Sequence, residues 1–118
     1  MLKSAIKKQL IKKPLLYEWA LRALQKSEAQ EVMVLRKIVR SGDTVFDIGA
    51  NVGQFTCLLA HLAGSKGAVH AFEPIPPVFH KLQNNISRNG LSSTVLLNQC
   101  ALSDKKGFVQ MYVPACDF

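Results

Sequence analysis

The run Val45-Phe46-Asp47-Ile48-Gly49-Ala50-Asn51-Val52-Gly53 constrains this chain more than any other stretch. Residues 44–48 are nearly all apolar and rich in β-branched side chains, as in a strand buried on both faces. The chain then turns through two glycines into an apolar-periodic segment. That order reads as strand, tight loop and helix, with the helix N-terminus facing a ligand. A second apolar run, residues 68–72, ends on Glu73, which puts another carboxylate at the tip of the neighbouring strand. Two acidic tips suit a ligand with an amine end and a ribose. A pyrophosphate fits badly, because Asp47 repels it. The glycine spacing agrees: a G-x-G-x-x-G fingerprint counted from Gly49 needs glycine at 51 and 54, where the chain has Asn51 and Gln54.

The rest of the chain supplies an α/β frame for this loop. Leu2, Ile6 and Leu10 recur at helical spacing until Pro14, and residues 14–26 predict a second helix. Ser27 is a suitable cap for a third helix carrying Val32, Leu35 and Val39, which Ser41-Gly42 ends. A helix over 53–62 follows the loop, with Phe55, Leu58, Leu59 and Leu62 toward the sheet, and 64–67 form a turn. After the second strand, Pro76 and Pro77 open a helix on which Val78, Leu82 and Ile86 stack, capped by Asn89-Gly90. Residues 94–99 predict a third strand and 108–113 an alternating fourth. Strands alternating with helices imply right-handed crossovers and a parallel sheet.

Beyond these elements, the ordered motif set 41–53, Ala71-Phe72-Glu73-Pro74, Asn84-Asn85 and Ala101-Leu102-Ser103-Asp104 with Gly107 resembles the class I S-adenosylmethionine-dependent methyltransferases. More narrowly, it resembles the FkbM-type methyltransferase family, over roughly residues 31–114. The resemblance implies a Rossmann-like parallel sheet with flanking helices, an incomplete class I core preceded by N-terminal helices. It divides the chain into an N-terminal helical segment, 1–42, and the cofactor-binding half of a methyltransferase domain, 43–118. The substrate-binding half is then missing and the sequence reads as a fragment, aggregated or molten and catalytically silent when expressed alone.

The implied cofactor is S-adenosyl-L-methionine. The helix beginning near Gly53 offers its N–H groups and partial positive charge to the methionyl carboxylate. Gly49 lets the backbone approach the ligand without a Cβ, with Ala50 beside it in the loop. Asp47 attracts the ammonium, directly or through water, and holds the loop, while Asn51 either accepts a left-handed backbone or hydrogen-bonds across the loop. By resemblance Glu73 takes the two ribose hydroxyls, Pro74 and Ile75 lie on an adenine face, and Cys100 with the Ala101 N–H meets the adenine edge. Cys100 departs from the family there, since many class I enzymes have an acidic residue and a thiol is a weak hydrogen-bond partner.

Charge and cysteines limit the remaining functions. Met1 to Arg40 carries ten basic residues and three acidic ones, a surplus equal to the whole net charge of +7. The basic character therefore belongs to the N-terminal segment, where a solvated helix face, with weak contact to a membrane surface, explains it better than nucleic-acid binding. No apolar run approaches the roughly 20 residues of a membrane span, and scattered lysines leave no signal-peptide core. Cys57, Cys100 and Cys116 show no pairing motif, so reduced thiols in a cytoplasmic protein and no metal site are expected. Cys57 reads as a small core residue, His61 and His70 as packed or surface groups, and His80, one turn into the helix after Pro77, as a surface group or, as a secondary reading, an edge of the cofactor pocket. The function expected is methyl transfer, by resemblance O-methylation of a small-molecule or glycan-like hydroxyl. The alternatives are a non-catalytic S-adenosylmethionine-binding α/β module and, less well supported, a nicotinamide-dependent reductase. No catalytic residue is identified.

Overall fold

The computed structural model describes residues 28–115, so the two helices expected before Ser27, and Ser27 itself as a cap, lie outside the described residues. Six elements follow in order: α1 (Glu28–Ile38), β1 (Thr44–Ile48), α2 (Gln54–Ala63), β2 (Ala68–Phe72), α3 (Pro76–Arg88) and β3 (Val95–Asn98). The strands form one parallel sheet in the order β1-β2-β3, with Val45 opposite Val69 and Ala71 opposite Leu97. This is the strand order of a Rossmann-like half-sheet. Helix α1 ends at a turn in which the Arg40 N–H donates to the Asp43 carboxylate at 2.8 Å and Gly42 sits at φ 91°.

The crossovers run in one direction across the sheet, so right-handed connections set both helices against the same face. That face carries the buried Val69, Ala71 and Val95, with the partly buried Val45 and Leu97 beside them. Val78, Leu82 and Ile86 are all buried on α3, as their i, i+4, i+8 spacing requires. Leu35 and Val39 from α1 and the segment after it pack against the same core.

Burial of β1 on both faces is not what the structure shows. Phe46 and Ile48 are 60% and 63% exposed, while Val45 and Asp47 alternate with them on the covered side. On the open face the Phe46 ring meets His70 and Phe72 edge-on, at centroid distances of 5.1 and 5.9 Å. The apolar run of β1 is therefore covered once among the described residues. One edge of β1 is also unpaired among them.

Helix α2 corrects the expected facing residues. Thr56, Cys57, Leu59, Ala60 and Ala63 are buried, whereas Phe55, Leu58 and Leu62 are only half-buried. Small side chains let the helix approach the sheet closely, and the larger ones splay to its flanks. Cys57 is the small core residue its sequence neighbours suggest, fully buried. The expected strand over 108–113 is absent: residues 101–115 form no helix or strand and are exposed, including Phe108 and Tyr112. Alternation favours a strand only where its apolar side has a surface to pack on, and residues 101–115, exposed throughout, cover none. Among the described residues no helix is long and apolar enough to cross a membrane.

Leu82 has none of its surface exposed and joins α3 to the core. Leu82→Ala in the full-length protein should lose about 2–5 kcal/mol of stability by cavity formation. Lys81→Ala, on the exposed side of the same helix, should stay within about 0.5 kcal/mol. Urea midpoints of the two variants check the pair, and equal shifts would contradict this placement of the core.

Candidate functional site

The carboxyl ends of β1 and β2 carry loops that hold one another in place. Beyond β1 the sheet pairing continues for two residues, since the Gly49 and Ala50 N–H groups both donate to the Phe72 carbonyl, at 3.0 and 2.9 Å. Ala50 is buried in the core and so anchors the loop start. The chain then reverses through Asn51 at φ 54°, the only non-glycine with positive φ among the described residues, and Gly53 at φ 94°. Of the two roles open to Asn51, the structure shows the left-handed backbone, a conformation Asn tolerates better than most residues.

Two glycines serve this turn differently. A Cβ on Gly53 would lie 2.7 Å from Leu82 Cδ1, so the loop sits directly on α3. A Cβ on Gly49 would meet nothing within 4 Å, so that glycine leaves open space on the side where a ligand would approach.

Glu73 joins the two loops. Its Oε2 accepts the Asn51 N–H at 2.9 Å and its Oε1 accepts the Ile75 N–H at 3.0 Å. The residue is buried, and its backbone N–H donates to the Asn98 carbonyl at the end of β3. Each oxygen of a carboxylate offers two lone pairs, so one acceptor site on each remains beside these bonds. Pro74 and Ile75 are half-buried next to it, and Ile75 opens α3 by accepting the Phe79 N–H at 2.8 Å.

Asp47 lies on the covered face of β1, where Thr56 Oγ1 donates to its Oδ2 at 2.5 Å. Burial pushes its carboxyl above the ordinary value of 3.8, and the Thr56 hydrogen bond partly offsets that rise. Thr56 is fully buried in an otherwise apolar stretch of α2. A lone hydroxyl in such a stretch is the signal for this contact in the sequence. Asn85, the second residue of the Asn84-Asn85 motif, donates its Nδ2 hydrogen to the Val52 carbonyl in the glycine loop at 2.8 Å.

Asp47, Gly49, Ala50, Asn51, Gly53, Glu73, Pro74 and Ile75 are therefore gathered at one end of the sheet. Cys100 and Ala101 follow β3 by two and three residues and are exposed, with no hydrogen bond to Glu73 or Ile75 among the described residues. His61 and His80 are exposed on helices, and His70 is half-buried on the open face. Burial pushes the Cys57 thiol up to about 12, which makes it an inert core group. A cleft of about 620 Å³ lies between α1 and β1, bordered by Gln30, Val34, Phe46, Ile48 and Phe55. It reaches Asp47 and Gly49 but not Glu73, and its mostly apolar walls offer little to a ribose.

Comparison with known proteins relates the chain to methyltransferases. A family model described as the methyltransferase FkbM domain matches residues 47–117. The 31-O-demethyl-FK506 methyltransferase FkbM of Streptomyces tacrolimicus is 47% identical over 73 residues, covering 62% of this chain and 27% of that protein. Among solved structures, a candidate rRNA methylase from Clostridium thermocellum superposes with a TM-score of 0.62 at 26% identity, over 64% of this chain and 41% of the other. A SAM-dependent O-methyltransferase from Thermotoga maritima gives 0.56 at 25% identity, over 60% and 28%. The chain thus spans under half the length of each of these relatives.

The raised Asp47 carboxyl has a thermodynamic consequence. A carboxyl whose folded value exceeds its unfolded one stabilises the fold while protonated and loses that contribution as pH rises through the folded value. Stability of the parent relative to Asp47→Asn should therefore fall as pH rises from the unfolded value of 3.8. Thr56→Val should move the Asp47 titration further up. Urea unfolding across that range and carboxyl-carbon NMR of Asp47 check both, and a downward movement in Thr56→Val would overturn the pairing.

Proposed function

Because this chain belongs to the FkbM methyltransferase family, we propose that it is the cofactor-binding part of an S-adenosylmethionine-dependent methyltransferase that methylates a hydroxyl oxygen. The observation that carries this reading is the pair of carboxylates, Asp47 and Glu73, at the carboxyl ends of adjacent parallel strands around one glycine loop.

The residues fit the cofactor group by group. Asp47 faces the amine, and a cation there offsets the cost of keeping its buried carboxylate ionised. The N-terminus of α2 receives the carboxylate with the positive end of its dipole. Glu73 offers its remaining acceptor sites to the ribose diol, and the open space at Gly49 admits the ligand to the backbone. Pro74 and Ile75 line an adenine face, with Cys100 and the Ala101 N–H at the adenine edge. When bound, S-adenosylmethionine supplies a methyl group activated on a sulfonium. The chain's own contribution is binding and orientation, which dominates the acceleration of an in-line displacement. None of these residues is assigned to take the acceptor's proton, and the proposed base belongs to a part of the protein that binds the acceptor.

A hydroxyl acceptor is supported by two relatives, one whose name specifies an O-demethyl substrate and one described as an O-methyltransferase. We place the acceptor among small-molecule or glycan-like hydroxyl compounds, with no nucleic acid, in the cytoplasm. The basic N-terminal segment is left for weak contact with a membrane surface.

Isothermal titration of the full-length protein with S-adenosylhomocysteine tests the reading. Binding is expected, and Glu73→Ala should weaken it by about 1–3 kcal/mol through lost hydrogen bonds. Absence of binding at a ligand concentration of about 1 mM would overturn it.

A further inference from the structure

We propose that Asn85 is a positioning residue for the glycine loop: it locks the Val52–Gly53 peptide on α3 and so fixes the start of α2 for the methionyl end of the cofactor. The inference rests on the cofactor reading given above and adds to it a residue outside the binding loops.

The Val52–Gly53 peptide is trans, so its C=O and N–H point in opposite directions. Both ends are held. The Val52 carbonyl accepts the Asn85 Nδ2 hydrogen bond at 2.8 Å, and the Gly53 N–H donates to the Ala50 carbonyl at 3.0 Å. Gly53 then accepts the Cys57 N–H at 3.0 Å, the first backbone bond of α2. The orientation of one peptide plane therefore sets the entry of α2, and a side chain from a different helix sets that plane.

The packing beside it is tight. Leu82 Cδ1 lies only 2.7 Å from where a Gly53 Cβ would be, so the loop rests on α3 by contact as well as by this hydrogen bond. The Asn85 side chain has no part in the helix's own end: Asn89 is held through the Asn85 backbone carbonyl, by its N–H at 3.1 Å and its Nδ2 at 2.8 Å. Replacing the side chain removes the link to the loop and leaves that cap in place.

The two ends of the cofactor should respond differently. Glu73 braces the loop from the ribose side through the Asn51 N–H, independently of Asn85. Loss of the Asn85 link should then loosen the peptide before α2, where the methionyl group sits, and spare the ribose and adenine contacts.

Asn85→Asp keeps the shape and removes the N–H donor, and Asn85→Ser removes the reach. In the full-length protein each should weaken S-adenosylhomocysteine binding about five- to tenfold, the worth of one partly buried hydrogen bond. Affinity for 5′-methylthioadenosine, which has the adenine and ribose but no amino-acid group, should change less than about twofold. Equal weakening of both ligands, or unchanged affinity for both, overturns the positioning role while the cofactor reading stands. A parent protein that binds neither ligand overturns both.

Discussion

A single buried carboxylate organises the functional end of this molecule. Glu73 accepts one backbone N–H from each of two loops, Asn51 from the loop after β1 and Ile75 from the entry of α3. A carboxylate taken out of water is costly unless its oxygens are engaged, and these bonds engage both. The same bonds keep Asn51 in its left-handed turn and so hold the loop beneath α2. The loop geometry is thus fixed within the chain itself, and for the proposed cofactor preorganisation of that kind would lower the ordering cost of binding.

The layers behind this end are asymmetric. Both crossover helices cover one face of the sheet, where Val69, Ala71 and Val95 are buried, and the opposite face shows Phe46, Ile48 and Leu96 to solvent. Asp47 lies on the covered side, which accounts for its raised carboxyl and its dependence on Thr56. Residues on β1 that differ by one position therefore meet opposite surroundings, a direct result of the two-residue repeat of a strand.

Much of this was legible in the chain because local rules and global fold agree. β1 and β2 fall where the apolar runs place them, Val78, Leu82 and Ile86 of α3 are buried at their helical spacing, and the left-handed Asn51 follows from the loop pattern. Three things were not legible. The apolar content of β1 does not say how many faces are covered, since that depends on which side the crossovers take. The phase of α2 was misjudged because large apolar residues dominate a periodicity reading, whereas close packing selected Cys57, Ala60 and Ala63. The hydroxyl of Thr56 and the amide of Asn85 act across the fold, over sequence separations of 9 and 33 residues. A lone hydroxyl in an apolar stretch marks Thr56 as a position of interest, but spacing names the partner of neither bond.

The central claim is that the carboxyl ends of β1 and β2, and not the cleft beside α1, hold the cofactor. A crystal structure of the full-length protein with S-adenosylhomocysteine tests it directly. The account predicts the ribose hydroxyls within hydrogen-bond distance of Glu73, with the amine near Asp47 and the ligand carboxylate at the start of α2. A ligand seated instead against Gln30, Phe46 and Phe55, or one bound with Glu73 touching only the Asn51 and Ile75 N–H groups, would contradict it.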